Sequence, residues 1–460
     1  MSTAATVTLP EFGVDGVRPE LAVSEYHRRF DETVDRMKRE GLDALVVYGD
    51  REHVANLAYL TGFDPRFEEA LLLLNARGER RLLVGNECMG YLPSPALHCE
   101  PELFQEFSLM GQQRDGSRAL GDILSSFGIG RDVDVGCVGW KYFDRRLVGR
   151  ANALDLPSYI VDLLRDLTGD STRVRNATAM FMNPQDGLRI ANSVDQIARF
   201  EFAAVRASES IKSLLNTLRE GVTEEQLERC YHGGGLPRSC HPMVSVGTKA
   251  RRGLSSPSGN RAVRGEPYTA ALGIEGALSC RAGMIAEGPA DLAADLADFY
   301  PAFVSNYFDV VATWYEHVKV GAIAGETVAA VEGVRDPRLF KLAVNPGHYI
   351  HIDEWLHSPF TGGSRITLRS GMALQMDIIP VSQGPFCCAN AEDGIVLADD
   401  ELQHEIAREH PAAWKRIRQR RTFMEEVIGI RLDPSVLPLS NIAGWFPPYA
   451  LKLNTAMVMR

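Results

Sequence analysis

The chain has 460 residues, 45% of them hydrophobic, and its 49 Lys and Arg against 60 Asp and Glu leave a formal charge of -11. That length provides for two or three domains of about 150 residues, each with its own core. The acidic balance, without a clustered basic footprint, argues against nucleic acid as the main partner, and no stretch approaches the roughly 20 apolar residues of a membrane span.

Residues 26–41 place Tyr26, Phe30, Val34 and Met37 at helical spacing, with Gly41 as the C-terminal cap. Apolar β-rich runs follow at 43–48 (DALVVY), 70–74 (ALLLL), 81–85 and 132–139 (DVDVGCVG), alternating with helical stretches. This rhythm predicts an α/β domain over residues 15–182, a sheet covered by helices. The cluster MNPQDG at 182–187 reads as a junction. Beyond it Ser193 and Gln196 form a capping-box signature, and Ile197, Phe200, Ala204, Ile211, Leu215 and Leu218 trace one face of a long helix that Gly221 is expected to end. Thr223 and Gln226 repeat that signature. A second, α+β domain is expected over 190–430, and the Pro-rich apolar tail 431–460 as a strap packed on it. Eight cysteines without C-x-x-C spacing read as reduced thiols, with the adjacent Cys387 and Cys388 on opposite faces of a strand. The N-terminus has no cationic-then-apolar leader pattern, so a cytoplasmic location is expected.

Several segments resemble the creatinase/aminopeptidase P/methionine aminopeptidase family. Residues 59–63 (YLTGF), followed by Arg66, Phe67 and Glu68, resemble the signature of its N-terminal domain. Gly347-His348, residues 371–377 (GMALQMD) and residues 392–397 (EDGIVL) occur in the order and approximate spacing of its catalytic domain, and residues 264–267 (RGEP) resemble the entry to its central hairpin. The resemblance implies a creatinase/prolidase-type N-terminal domain followed by a pita-bread domain, and a homodimer in which the N-terminal domain of one subunit lies near the other's active site.

Family peptidases hold two metal ions with two Asp eleven residues apart, one His and two Glu, and two ions about 3.5–4 Å apart activate a shared water. With Gly273 registered on the family's Asp-x-Gly, Ala271 and Ala282 stand at the two Asp positions, and neither methyl can coordinate an ion. His348 fits the His, Glu392 fits the second Glu, and Asp377, one methylene shorter, stands where the first Glu is usual. The family's catalytic histidine falls in a region that here holds Leu254, Ser255 and Ser256.

Two desolvated carboxylates on neighbouring strands cannot both ionise without a cation. A cationic substrate group, Arg281 beside Ala282, or a shared proton each meets that need. The expected acid/base groups are His348 and His357, with Asp377 and Glu392 holding the cationic end of the substrate; in a strand, Tyr349, His351 and Asp353 would face away from His348. Substrate contacts are expected from Ser255, Ser256, Tyr349, Arg365 or Arg369, and Arg281. Cys280, activated by Arg281, is a lesser candidate nucleophile, and His241 a displaced base. By resemblance Arg66, with Phe63 or Phe67, would grip a substrate carboxylate, the alternative being a surface salt bridge with Glu68 or Glu69.

The leading expectation is therefore a metal-independent hydrolase cleaving a C–N bond in a small zwitterionic or cationic substrate, with no cofactor. The alternatives are a metal-dependent Xaa-Pro aminopeptidase or dipeptidase with one divalent ion on His348, Asp377 and Glu392, and an inactive pita-bread domain that binds peptide or protein.

Overall fold

The computed structural model describes residues 2–150, 152–382 and 384–460. They fall into two compact units: Leu21–Ile190, and the residues up to Glu20 together with Ala191–Arg460.

In the first unit the helix Val23–Glu40 buries Phe30, Val34 and Met37 and stops at Gly41, whose φ of 65° is the left-handed cap read from the sequence. The four apolar runs become the strands Ala44–Gly49, Ala70–Asn75, Arg80–Val84 and Val135–Val138. With Glu100–Leu103 and Val174–Asn176 they build one six-stranded sheet. Ala44–Gly49 pairs antiparallel with Ala70–Asn75 and parallel with Val135–Val138, and all six of its residues are buried. A continuous apolar run is what a strand covered on both faces requires.

The second unit is built on a seven-stranded antiparallel sheet. Its order is His348–Tyr349, Ala373–Asp377, Asn390–Leu397, Ala277–Met284, Pro267–Ile274 and Met243–Val246, with Val436–Pro438 added beside Asn390–Leu397. The long helix runs over Val194–Thr217 and buries Ile197, Phe200, Ala204, Ile211 and Leu215. It stops four residues short of Gly221, because Leu218 already takes an extended conformation. The second capping box forms as read, with Thr223 and Gln226 each bonding the other's backbone N–H.

The tail contributes more than packing: Thr455–Met459 pairs antiparallel with Ser2–Thr6, and Trp445, Phe446 and Tyr449 are buried. Among the described residues no helix is long and apolar enough to cross a membrane.

Three buried carboxylates of this unit come with a counter-charge. Glu201 is held by Arg416 and Arg420 at 2.7 Å each, Glu224 by Lys249 at 2.6 Å, and Asp393 by Arg281 at 2.8 Å. An unpaired ion in such a place would cost several kcal/mol, on the order of what half the fold's stability amounts to.

Candidate functional site

Residues directly opposite on antiparallel strands project from the same face. The register therefore aligns one row across five strands: Asp377 faces Glu392, Glu392 faces Cys280, Cys280 faces Ala271, and Ala271 faces Met243. On the next rank of that face His348 sits opposite Gln375 and Gln375 opposite Gly394. The row is polar at one end only. At the other, Met243, Ala271, Leu278 and Cys280 pack together, with Cys240 against them.

At the polar end His348 is fully buried and its Nδ1 lies 3.1 Å from the Tyr349 carbonyl. A carbonyl only accepts, so Nδ1 carries the proton and Nε2 is turned to the carboxylates. From Nε2 the distances are 3.3 Å to Glu354 Oε1, 3.6 Å to Glu392 Oε1 and 3.9 Å to Asp377 Oδ2. Among the described residues neither Nε2 nor Asp377 Oδ1 has a hydrogen-bond partner, although both are buried. Gln375 steadies Glu392, its Nε2 donating to Oε1 at 3.1 Å and to the Leu278 carbonyl at 2.8 Å. Trp355 stacks on the imidazole at 4.1 Å and 20°.

Burial, and then the Glu392 charge, push the Asp377 carboxyl well above the ordinary carboxylate range; burial and then Glu354 do the same to Glu392. Glu354 is raised by burial as well. Among the described residues these groups form no ion pair with an arginine or lysine of the kind that Glu201, Glu224 and Asp393 each possess.

The donor atoms of His348, Glu354 and Glu392 lie within 4.8 Å of one another. Two ligands at about 2.1 Å from one tetrahedral ion stand about 3.4 Å apart, so a spacing of 3.3 to 3.6 Å around Nε2 suits a shared cation. It is longer than the charge-assisted N–H···O bond of about 2.8 Å that an imidazolium would make. One nitrogen with several carboxylate oxygens is also a donor set for Mn, Fe, Co or Zn. The residues present fit one divalent ion.

Of the residues expected at the site, His348, Asp377 and Glu392 come together. Glu354 joins them unforeseen. The strand begun at His348 ends after Tyr349, and the chain reverses so that Tyr349 bridges His357, with its N–H donating to the His357 carbonyl at 2.7 Å. Glu354 and Trp355 lie on that reversal, so the strand alternation assumed for 349–353 does not hold.

The half-buried His357 accepts from the Ser358 N–H through Nδ1, and burial lowers its basicity. Tyr349 is buried, its hydroxyl against Met372 Sδ, which does not suit the substrate contact expected of it. His351 packs edge-on to Phe200.

Several expectations are corrected. Arg281 projects from the opposite face, where it is fully buried on Asp393 and the Trp445 carbonyl, and so it is turned away from the row. The Cys280 thiol is accordingly pushed up, by burial and then by Glu392 and Asp377, the reverse of an activated nucleophile. Cys280 stands opposite Ala271, since the hairpin closes on the two residues Glu275 and Gly276 and pairs Ile274 with Ala277, and Ala282 follows two residues along on the same face. Ala282 lies opposite Asn390. Cys387 and Cys388 lie in the loop before Asn390–Leu397, not in a strand.

His241 is exposed and bonds the Leu254 carbonyl at 2.7 Å. Ser255 donates to the Gly253 carbonyl, and the exposed Ser256 offers its carbonyl to Lys249. Arg365 is exposed. In the first unit Phe63 is buried against Tyr91, Phe67 is exposed, and Arg66 pairs with Asp64 at 3.0 Å rather than with Glu68 or Glu69.

Residues 29–90 match the model of the creatinase/prolidase N-terminal domain. The whole architecture is similar to the dipeptidase PepE of Mycobacterium ulcerans, with a TM-score of 0.62 and 16% identity over 82% of this chain and 95% of that one. The chain has the creatinase/prolidase fold. An Xaa-Pro dipeptidase from Bacillus anthracis shares that creatinase/prolidase architecture at a TM-score of 0.60 and 15% identity, covering 83% of this chain and 96% of that one. So does the X-Pro aminopeptidase of Thermotoga maritima, at 0.58 and 13%, covering 80% and 95%. A sequence search of curated proteins finds no match.

Proposed function

We propose that the chain is a hydrolase of short peptides, of the Xaa-Pro dipeptidase or aminopeptidase kind, working with one divalent cation held by His348, Glu354 and Glu392 and flanked by Asp377. The observation that carries this reading is the spacing around the buried His348 Nε2: two carboxylate oxygens gathered within 3.6 Å of it, with no arginine or lysine paired with them among the described residues. The solved structures that share the fold include enzymes titled Xaa-Pro dipeptidase and X-Pro aminopeptidase, which supports the same substrate class.

A bound ion of this type supplies a water made acidic near neutral pH and polarises the scissile carbonyl. The chain's own part is separate. The Tyr349 carbonyl fixes the His348 tautomer, and Gln375 fixes Glu392. Asp377, with its raised carboxyl, is suited to holding the proton taken from water and returning it to the leaving amine. Trp355 screens the imidazole from solvent on one side.

The metal-independent hydrolase remains the second reading, favoured by one feature. Because Met243, Ala271, Leu278 and Cys280 fill the other end of the row, the polar end accommodates the cationic head of a substrate as well as an ion.

The two readings part on a panel of Xaa-Pro dipeptides and small guanidino or amido acids, assayed with Mn, Co or Zn and with chelator. The first predicts metal-stimulated release of the residue before proline. Turnover of guanidino or amido substrates untouched by chelator would replace it with the second.

A further inference from the structure

Solvent reaches the row at both of its ends. Asp377, Glu392, Cys280, Ala271 and Met243 are each 3–6% exposed, the apolar residues as much as the two carboxylates. On the other face of the same strands Met376, Asp393, Arg281 and Ala270 are at 0%, Val244 at 1% and Ala391 at 3%. The more open face thus changes from carboxylate to hydrocarbon and thiol between Glu392 and the paired Cys280.

The apolar half has a floor of its own. Cys280 and Ala271 are short, and Leu278 and Met243 packed beside them are long, so the short pair lies between taller neighbours. Leu278 stands opposite Gly273, and Cys240 Sγ covers that glycine so closely that an added Cβ would come within 2.5 Å of it. Asn390 turns its amide to Cys280, Nδ2 donating to Sγ at 3.4 Å. At the outer edge residues 254–255 are laid against the strand of Met243: the Val244 N–H donates to the Ser255 carbonyl at 3.2 Å, and His241 Nε2 to the Leu254 carbonyl at 2.7 Å. Leu254 is held there at a φ of 55° and 65% exposed, a large apolar residue kept in water in a conformation that a non-glycine residue rarely adopts.

Neighbouring strands lie about 4.8 Å apart, which puts Cys280 one strand and Ala271 two strands from Glu392. With the scissile carbonyl at the polar end, the side chain on the same residue lies over Cys280 and Ala271. We propose that the apolar half of the row is a substrate subsite for an uncharged apolar side chain of Leu or Met size, on the residue whose carbonyl is cleaved. Which residue sits there rests on the peptidase reading above. The subsite itself does not, since it receives the alkyl part of any ligand whose cationic head lies with Asp377 and Glu392. A charged side chain in the same place is stripped of water with no partner to replace it.

Two measurements test this. The n-alkylamines from ethylamine to pentylamine, titrated into the ion-free protein by calorimetry, should bind about three- to fourfold more tightly with each added methylene. A271L, which fills the floor, should flatten that series, and M243A, which lengthens it, should carry the rise on to longer amines. Metal-loaded protein should show a kcat/KM at least about tenfold higher on Leu-Pro and Met-Pro than on Gly-Pro and Asp-Pro. Metal-stimulated turnover with equal kcat/KM on all four would overturn the subsite and leave the peptidase reading standing. No turnover of any of them, with amine affinity that still rises with length, would sink the peptidase reading and leave the subsite. Amine affinity independent of chain length, or a series unaltered in both variants, would overturn the proposal whatever the peptides do.

Discussion

Glu392 and Asp393 are neighbours on one strand, both buried, and the sheet treats them oppositely. Asp393 faces a side where Arg281 meets it at 2.8 Å and the Ser440 hydroxyl at 2.6 Å, its charge cancelled within the fold. Glu392 faces the other side, where it meets Asp377 across the strand, Glu354, and a His348 nitrogen at 3.6 Å. One carboxylate is structural because its cation is built in. The other has no arginine or lysine paired with it among the described residues, and this difference separates the candidate site from the core that carries it.

The contrast can be broken most sharply at Asp393. D393A leaves the Arg281 guanidinium buried and uncompensated, and should cost about 3–5 kcal/mol, seen as a lower denaturation midpoint without a change in cation affinity per folded molecule. If D393A were neutral, Asp393 would not be the structural partner described here. Glu392 should answer with the opposite sign. E392Q removes an uncompensated charge, so the ion-free protein should gain on the order of 1 kcal/mol near neutral pH, while Mn or Zn affinity, read by titration calorimetry, should fall by at least about 100-fold. Destabilisation of the ion-free protein together with unchanged affinity would erase the distinction between the two residues.

A smaller effect sharpens the comparison through pH. Asp377 and Glu392 have folded-state pKa values raised above those of the unfolded chain. The folded protein thus binds more protons, and their contribution to stability is full below the ordinary carboxylate range and is lost as pH rises through the folded values. Added cation should offset that loss, so its stabilising effect should grow with pH and vanish in acid, where protons compete for the same ligands. Melting curves with and without Mn between about pH 5 and pH 8 should diverge; parallel curves would show that the raised carboxyls are not where the ion binds.

Much of this was legible in the residues, and the gaps have physical causes. The helix Val23–Glu40 announced itself through apolar spacing and Gly41, and the first unit's strands through apolar runs. His348, Asp377 and Glu392 were reached through motif order, a signal that survives loop variation. Glu354 was missed because the segment after His348 was read as a continuing strand, whereas the strand is two residues long and the chain doubles back by His357. Glu275-Gly276 is a two-residue turn, with Gly276 at a φ of 90°, and reading that turn first would have put Cys280 opposite Ala271. Arg281 was placed by adjacency, and strand alternation sent it to the other face.

The central claim is that the polar end of the row holds one divalent ion and the apolar end none. It is tested most directly by the metal content of protein purified without chelator and then equilibrated with Mn or Zn, counted per chain by elemental analysis. The account predicts one ion per chain, lost in H348A and E392Q and retained in D393A. No bound ion, or two ions per chain, would contradict it.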